Sequence, residues 1–173
     1  MWFCSAREEY SGMNLFTAEL KNDKWTNWQY AGDKLNKDFQ VGEMHLTADG
    51  NDLYFHSARA SEKGGYDIWA SRKIDGKWHQ PENVGAVNAP ENEGWPFLTY
   101  DGNELWFTRT YRGSPAIFVS SKVESKWSEP VLILSQFAAE PSLDDKGNIY
   151  FAHHFYNNMT KMIEADMYVV LKK

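Results

Sequence analysis

Three glutamates are the residues of this chain best suited to acid–base chemistry. Glu43, Glu93 and Glu140 each stand a few residues before a turn sequence, in stretches that read as β-strands. A glycosidase needs two carboxyl groups about 5–9 Å apart across a pocket. Glu43 lies six residues before Asp49, whereas Glu93 lies eight before Asp101, so the two glutamates are not strictly equivalent. The spacing favours solvated carboxylates at a channel mouth, and a carbohydrate-active hydrolase stays the alternative function.

Metal and nucleophile chemistry has weaker support. The five histidines are scattered, except for the neighbours His153 and His154, whose rings would point to opposite faces of a strand. The single cysteine, Cys4, excludes a disulfide within the chain and a cysteine-based zinc site. It stands among apolar residues, which favours a buried and inert thiol. With no zinc-protease, serine-hydrolase or nucleotide-binding motif, we expect no catalytic residue, metal or cofactor, and no enzyme.

Composition excludes two further classes of partner. The chain has 173 residues, a formal net charge of −6 and 18 scattered basic residues, which is unlike the concentrated basic stripe of a nucleic-acid groove. No stretch approaches the roughly 20 apolar residues of a membrane helix, so we expect no membrane insertion. The first nine residues have neither the basic nor the apolar region of a signal peptide.

A repeat of about fifty residues organises the chain. The first marker is Met1-Trp2-Phe3, Leu53-Tyr54-Phe55, Leu105-Trp106-Phe107 and Ile149-Tyr150-Phe151, with spacings of 52, 52 and 44 residues. The second marker is Leu15-Phe16, Ile68-Trp69, Ile117-Phe118 and Met167-Tyr168. The third marker is Trp25, Trp78 and Trp127. One period shared by three markers indicates a repeat architecture.

Each repeat divides into strands joined by short turns. In the second repeat the pairs Asp49-Gly50 and Asp75-Gly76 are strong hairpin signals. Four strands per roughly fifty residues are typical of a β-propeller blade. We predict a single all-β propeller domain of about 14 strands, with four partial or complete blades. The predicted blades are 1–40, 41–90, 91–135 and 136–173.

The predicted blades bury aromatic side chains but do not close a ring. Both faces of a blade pack against neighbours, so we expect Trp25, Trp78 and Trp127 to be largely buried at the start of the outer strands. The first blade lacks an inner strand and the last lacks an outer strand. We expect exposed terminal faces, which favour self-association as a dimer. The residues expected on these faces are Trp2, Phe3, Tyr150 and Phe151.

Three segments give the chain a family resemblance. Residues 76–85 (GKWHQPENVG), followed by 93–107 (EGWPFLTYDGNELWF), resemble the TolB-like propeller repeat, as does Gly64-Gly65-Tyr66-Asp67-Ile68-Trp69. The resemblance covers nearly the whole chain and departs from the pattern at Asp144-Asp145-Lys146-Gly147, where a clean Asp-Gly turn is missing. It implies a C-terminal portion of a longer, mostly non-catalytic propeller, and a periplasmic or extracellular location.

Binding residues are expected on the loops at one end of the propeller. Arg7 and Arg59 occupy equivalent positions, each after an apolar-Ser-Ala sequence, and Arg109 lies close by in the third repeat. Loops on a rigid scaffold are where binding residues concentrate. We therefore expect a non-enzymatic module that binds a protein or glycan ligand on this face. Its candidate residues are Arg7, Arg59, Glu93, Trp95, Arg109 and His153.

Overall fold

The computed structural model describes residues 1–10, 12–36, 40–60, 64–157 and 161–173. Sixteen β-strands and one 3-10 turn, Gly85–Val87, are the regular elements of these residues, with no α-helix among them. They form four antiparallel sheets arranged as a four-blade β-propeller, which confirms the predicted fold class. No described helix is long and apolar enough to cross a membrane.

Blades 1 and 2 take their strands from the first half of the chain. Blade 1 has the order β1-β2-β3, and blade 2 has β4-β5-β6-β7 with β8 also paired to β6. The strands of blade 1 are β1 (Trp2–Ala6), β2 (Met13–Lys21) and β3 (Lys24–Tyr30). Those of blade 2 are β4 (Val41–Leu46), β5 (Asp52–Ser57), β6 (Asp67–Ile74), β7 (Lys77–Trp78) and β8 (Glu82–Asn83).

Blades 3 and 4 follow in the second half. Blade 3 has the order β9-β10-β11-β12 with β13 also paired to β11, and blade 4 has β14-β15-β16. The strands of blade 3 are β9 (Glu93–Leu98), β10 (Glu104–Tyr111), β11 (Ser114–Val123), β12 (Lys126–Trp127) and β13 (Val131–Leu134). Those of blade 4 are β14 (Ala138–Leu143), β15 (Ile149–Asn157) and β16 (Lys161–Val170). Each sheet falls within one of the four predicted blade ranges.

The described residues form 16 strands rather than the predicted 14, because the outer strand of two blades is interrupted. In blades 2 and 3 the chain pairs briefly with the third strand, leaves it, and pairs again further along, which gives β7 with β8 and β12 with β13.

Hairpins between the inner and second strands repeat one hydrogen-bond pattern. Asp49 Oδ1 accepts from the Thr47 hydroxyl at 2.6 Å and from the Asn51 amide at 3.1 Å. Asp101 makes the same bonds with Thr99 and Asn103. In blade 4, where the Asp-Gly pair is missing, Asp144 takes the same role towards Lys146 and Asn148. Hydrogen bonds hold the pKa values of all three aspartates below their ordinary value, chiefly those from the Thr47 and Thr99 hydroxyls and, for Asp144, that from the Asn148 side-chain amide.

Burial of one blade face by the next blade makes the core. We call the side of a blade that faces the preceding blade its leading face, and the side that faces the following blade its trailing face. Four residues occupy one equivalent position on the trailing faces, where each pairs with the strand that precedes it in its blade (β1, β5, β10 or β15). They are Leu15, Ile68, Ile117 and Met167. The first three are fully buried under the next blade, whereas Met167 is 69% exposed on blade 4. Coverage by a neighbouring blade therefore decides the burial of this position.

The connections between blades are tied to both neighbours by side chains. The Asn36 amide bonds the backbone N–H and C=O of Leu15 at 2.7 and 3.1 Å, as an added strand would. Asn88 does the same to Ile68, at 2.8 Å for both bonds. Leu35 and Val87, which directly precede the two asparagines, are fully buried. Each connection therefore seals the trailing face of the blade before it.

The three repeat tryptophans stand at the start of the outer strands as predicted, but they are not equally buried. Trp78 meets Trp2 of blade 1 edge-on with ring centroids 5.5 Å apart, and Trp127 meets Tyr54 of blade 2 at 6.4 Å. Trp25 is 43% exposed, so the prediction that it is buried is wrong. Its side chain belongs to the leading face of blade 1, which no described blade covers.

The predicted exposed faces also need correction. Phe151 is buried on the leading face of blade 4, which packs on blade 3, and Trp2 is half-buried by Trp78. Phe3 is half-buried between the rings of Phe16 and Trp28. Tyr150 is the one exposed residue of the four. The repeat marker consists of adjacent strand residues, whose side chains point to opposite faces of the blade, so it does not predict which of them is exposed.

Replacing Trp78 by alanine should lower the free energy of unfolding by about 2–4 kcal/mol, because it removes the edge-on contact with Trp2 and opens a cavity between blades 1 and 2. Tyr100→Ala is the control, since Tyr100 is 91% exposed on a hairpin and its loss should cost less than about 0.5 kcal/mol. Urea unfolding followed by circular dichroism measures both. A Trp78→Ala protein as stable as the wild type would contradict the interblade role.

Candidate functional site

A cavity of about 540 Å³ opens at the end of the propeller where the inner strands begin. All four blades contribute to its wall, from Met13 of blade 1 to Tyr156 of blade 4. Its volume lies in the range of small-molecule sites, roughly 300–1,000 Å³. The aromatic lining residues are His56, Tyr66, Trp95, His154 and Tyr156, and the carboxylates are Glu43 and Glu93. This cavity is the candidate functional site.

Bulges in the inner strands change the direction of three side chains, of which Glu43 and Trp95 line the cavity. The registers of the three strands are interrupted at the same place, next to Glu43, Trp95 and Glu140. Trp95 and Glu140 have φ angles of 50° and 59°, in the left-handed region that bulky residues rarely adopt. A bulge adds one residue and re-aims its side chain. Glu43, Trp95 and Glu140 are therefore structural equivalents, and Glu93 lies two residues before its blade's bulge residue.

An aromatic cluster forms one wall of the cavity. The His56 ring lies 5.5 Å from both the Tyr66 and the Trp95 rings. The ring fits because Gly42 and Gly94 flank it: a Cβ atom would lie 2.5 Å from His56 Nε2 at Gly42 and 2.9 Å from Nδ1 at Gly94. Burial lowers the pKa of His56 to about 4, so the imidazole is neutral at pH 7. The cluster therefore offers flat, uncharged surfaces to a ligand.

Glu43 lines the cavity and lies near a second carboxylate, Glu140. Partial desolvation and the negative charge of Glu140 raise the pKa of Glu43. Glu140 Oε1 lies 3.7 Å from His154 Nε2, and the Glu140 backbone N–H donates to Thr108 Oγ1 at 2.9 Å. Burial and the charge of Glu43 raise the pKa of Cys4 to about 12, so this thiol is protonated at neutral pH, in line with the predicted inert thiol.

Glu93 is the most deeply buried acid of the site. Its Oε1 accepts from Arg109 Nε at 2.7 Å, and its Oε2 accepts from the Ala89 backbone N–H at 3.2 Å. These bonds favour the charged carboxylate, but burial outweighs them and raises the pKa of Glu93 to about 7. The Arg109–Glu93 pair therefore changes charge close to neutral pH.

The three arginines that the sequence predicts as ligand-binding residues contact the blades and their connections instead. Arg59 is buried, donates to the Leu35 carbonyl and lies over the Phe55 ring. Arg109 donates to the Val87 carbonyl at 2.7 Å. Both thus bind the connection that enters their own blade. Arg7 lies over the Phe16 ring at 4.8 Å, on blade 1.

Two of the six predicted residues, Glu93 and Trp95, line the cavity. Arg109 lies behind the wall as the partner of Glu93, and Arg7 and Arg59 lie outside the lining. His153 also lies outside, packed against the Phe155 ring at 4.6 Å and the Tyr168 ring at 5.5 Å. Its neighbour His154 faces the cavity, so the two rings point to opposite sides of β15 as predicted.

The sequence did not predict that Glu43, Trp95 and Glu140 occupy equivalent bulge positions. It also did not predict that His56, Tyr66 and Tyr156 line the cavity. A signal for the bulges exists in the sequence, since a small residue precedes each of them: Gly42-Glu43, Gly94-Trp95 and Ala139-Glu140. Proline follows the last two. Within the part of the chain that the structure describes, no three histidine, cysteine, aspartate or glutamate side chains are grouped as metal ligands.

Comparison with known proteins adds little to this geometry. No protein-family model matches the sequence. No curated protein matches it either. The chain is similar to a solved structure described as a Mycobacterium tuberculosis puromycin-hydrolyzing peptidase, with 9% identity and a TM-score of 0.40. The match covers 88% of this chain and 35% of that one, so the chain spans about a third of its length.

Replacing Glu93 by glutamine should change how stability depends on pH. The pKa of Glu93 is about 7 in the folded protein, against an ordinary value of 4.5, so ionisation of the carboxyl opposes folding. The wild type should therefore lose stability relative to Glu93→Gln as pH rises from 4.5 to 7, by on the order of 3 kcal/mol in all.

The difference between the two unfolding curves isolates Glu93. His56 acts on both proteins and in the opposite sense, since its depressed pKa weakens folding as pH falls below 6.5. Urea unfolding at pH 4.5, 5.5, 6.5 and 7.5 measures the difference. A difference that does not change with pH would show that Arg109 keeps Glu93 charged throughout.

Proposed function

We propose that this protein is a non-enzymatic binding module of the TolB-like type, which takes a protein or glycan ligand in the cavity at its loop face. The observation that carries the proposal is the wall of aromatic rings, Tyr66, His56 and Trp95, beside the carboxylate of Glu43. Aromatic faces bind sugar rings and apolar side chains, and a few polar groups fix the ligand's orientation.

The positions of the aromatic side chains support this function because they are held in place. Trp95 takes a strained backbone conformation to reach the axis, and such strain concentrates at functional sites. The Tyr66 hydroxyl donates to Gln40 Oε1. Two glycines leave room for the His56 ring. A site built from fixed side chains loses less entropy when a ligand binds.

Charge narrows the ligand class. Glu43 lines the cavity and has Glu140 near it, and above pH 7 the charge of Glu93 is matched by Arg109. A phosphorylated or uronic acid ligand would meet net negative charge, whereas a neutral glycan or a lysine-bearing peptide would not. The TolB-like resemblance implies that such a ligand is met in the periplasm or outside the cell, and we propose that location.

Trp95→Ala should weaken ligand binding at least tenfold, because it removes the ring that the bulge presents to the cavity. The probes are an uncharged N-acetylglucosamine tetrasaccharide, a pentapeptide with a central lysine and its glutamate counterpart, titrated calorimetrically. The tetrasaccharide or the lysine peptide should bind, and the glutamate peptide should not. Tyr100→Ala, far from the cavity, should bind as the wild type does. Equal affinity of Trp95→Ala and the wild type would contradict the proposed site.

A hydrolase is the second candidate, because Glu43 and Glu93 line one cavity and both have raised pKa values. Against it, both oxygens of Glu93 are engaged, by Arg109 and by the Ala89 amide. A panel of nitrophenyl glycosides separates the two functions. The binding module predicts no turnover, whereas turnover that disappears in both Glu43→Gln and Glu93→Gln would establish the hydrolase.

A further inference from the structure

Glu43 is a carboxylate of the cavity wall that has no partner within the part of the chain that the structure describes. Its side chain is exposed and makes no hydrogen bond or ion pair there, whereas Glu93 in the same wall is bonded to Arg109. Glu140 places a second negative charge near it. Glu43 therefore repels anions and attracts a positively charged group.

Three rings of the same wall form a corner rather than a stack. They belong to blades 2 and 3, each of which packs between two described blades. The plane of His56 is inclined by 84° to that of Tyr66 and by 56° to that of Trp95, with both centroids 5.5 Å away. The faces of tryptophan and tyrosine attract a cation within about 6 Å of the ring centroid, and aromatic cages of this kind hold quaternary ammonium groups. The neutral ring of His56 adds no opposing charge.

The chain itself places ammonium groups over tryptophan rings. Lys73 Nζ lies 4.7 Å from the centre of the Trp78 ring, and Lys122 Nζ lies 5.2 Å from that of Trp127. Among the described residues no lysine or arginine lies over Trp95 in this way, and none lines the cavity. A cation that occupies the Trp95 face therefore has to come from a ligand.

We propose that the cavity binds the quaternary ammonium group of a ligand, with its methyl groups against Trp95 and Tyr66 and its charge facing Glu43. The inference rests on the proposed function, whose ligand class it narrows. A quaternary ammonium fits better than a primary one because it donates no hydrogen bonds and needs no acceptors. The amide oxygens beside Tyr66 already accept hydrogen bonds, Gln40 Oε1 from its hydroxyl and Asn92 Oδ1 from its backbone N–H.

A pair of probes with one shape tests the role of the charge. Choline is a cation, and dimethylbutanol is its uncharged isostere, in which carbon replaces nitrogen. Proton NMR titration of the wild type should show that choline binds about tenfold more tightly. The ring currents of Trp95 and Tyr66 should shift the choline methyl signals upfield. Equal affinity for the two probes would overturn the proposal.

Two glutamate variants test the counter-ion. Glu43→Gln should weaken choline binding about tenfold, because the attraction between opposite charges is lost, and should leave dimethylbutanol binding unchanged. Glu124→Gln removes the same charge from an exposed turn outside the cavity and should bind choline as the wild type does. Circular dichroism checks that both variants fold. Undiminished choline binding by Glu43→Gln would contradict the proposed site.

The tetrasaccharide titration separates this inference from the proposed function. If the tetrasaccharide binds and choline does not, the cavity is a ligand site but the ammonium assignment is wrong. If neither binds, and the peptides do not bind either, both proposals fail. A pentapeptide with a central trimethyl-lysine tests the source of the group. Tighter binding of this peptide than of choline assigns the group to a protein ligand, and equal binding shows that the ammonium group alone is recognised; either result supports the proposal.

Discussion

The burial of one blade face by the next is the interaction on which the rest of this structure depends. A single three- or four-stranded sheet cannot exclude water from both of its sides, so each blade is stable only beside a neighbour. The position shared by Leu15, Ile68, Ile117 and Met167 shows this directly, because its burial changes from complete to slight with the presence of the following blade. The consecutive apolar residues of the second strands, such as Leu53, Tyr54 and Phe55, follow from the same constraint, since adjacent residues of a strand point to opposite faces and both faces are covered.

Stacking of the blades also decides which polar residues are available for function. The connections run across the trailing faces, where their backbone groups need partners. Arg59 and Arg109 donate to the connection carbonyls of Leu35 and Val87. The side chains of Asn36 and Asn88, which belong to the connections, bond the strand backbone at Leu15 and Ile68. These four polar side chains therefore stabilise the scaffold. The side chains of the bulge residues Glu43, Trp95 and Glu140 lie outside this network, and Glu43 and Trp95 line the cavity.

The sequence predicts the fold well because the constraint is periodic. Three markers with one period give the blades and their ranges, and they place Trp25, Trp78 and Trp127 at the start of the outer strands. They do not predict burial, since Trp25 has the same place in its repeat as Trp78, but no described blade covers its face. The site is predicted in part. Glu93 and Trp95 line the cavity, yet a bulge shifts side-chain orientation by one residue, and strand alternation alone cannot locate it. Arg59 resembles a surface loop residue in the sequence, and its burial follows from a contact with Leu35, 24 residues away.

The shape of the cavity depends on how the blades stack. Residues of all four blades line the cavity, so its width follows the angles at the three blade junctions. These angles set the separation of Met13 and Tyr156, which lie on the first and fourth blades. A ligand that contacts both walls selects one separation and thereby fixes the junction angles. The conformational entropy that the junctions lose on binding counts against the affinity, so closely packed junctions such as that of Trp78 with Trp2 favour tight binding.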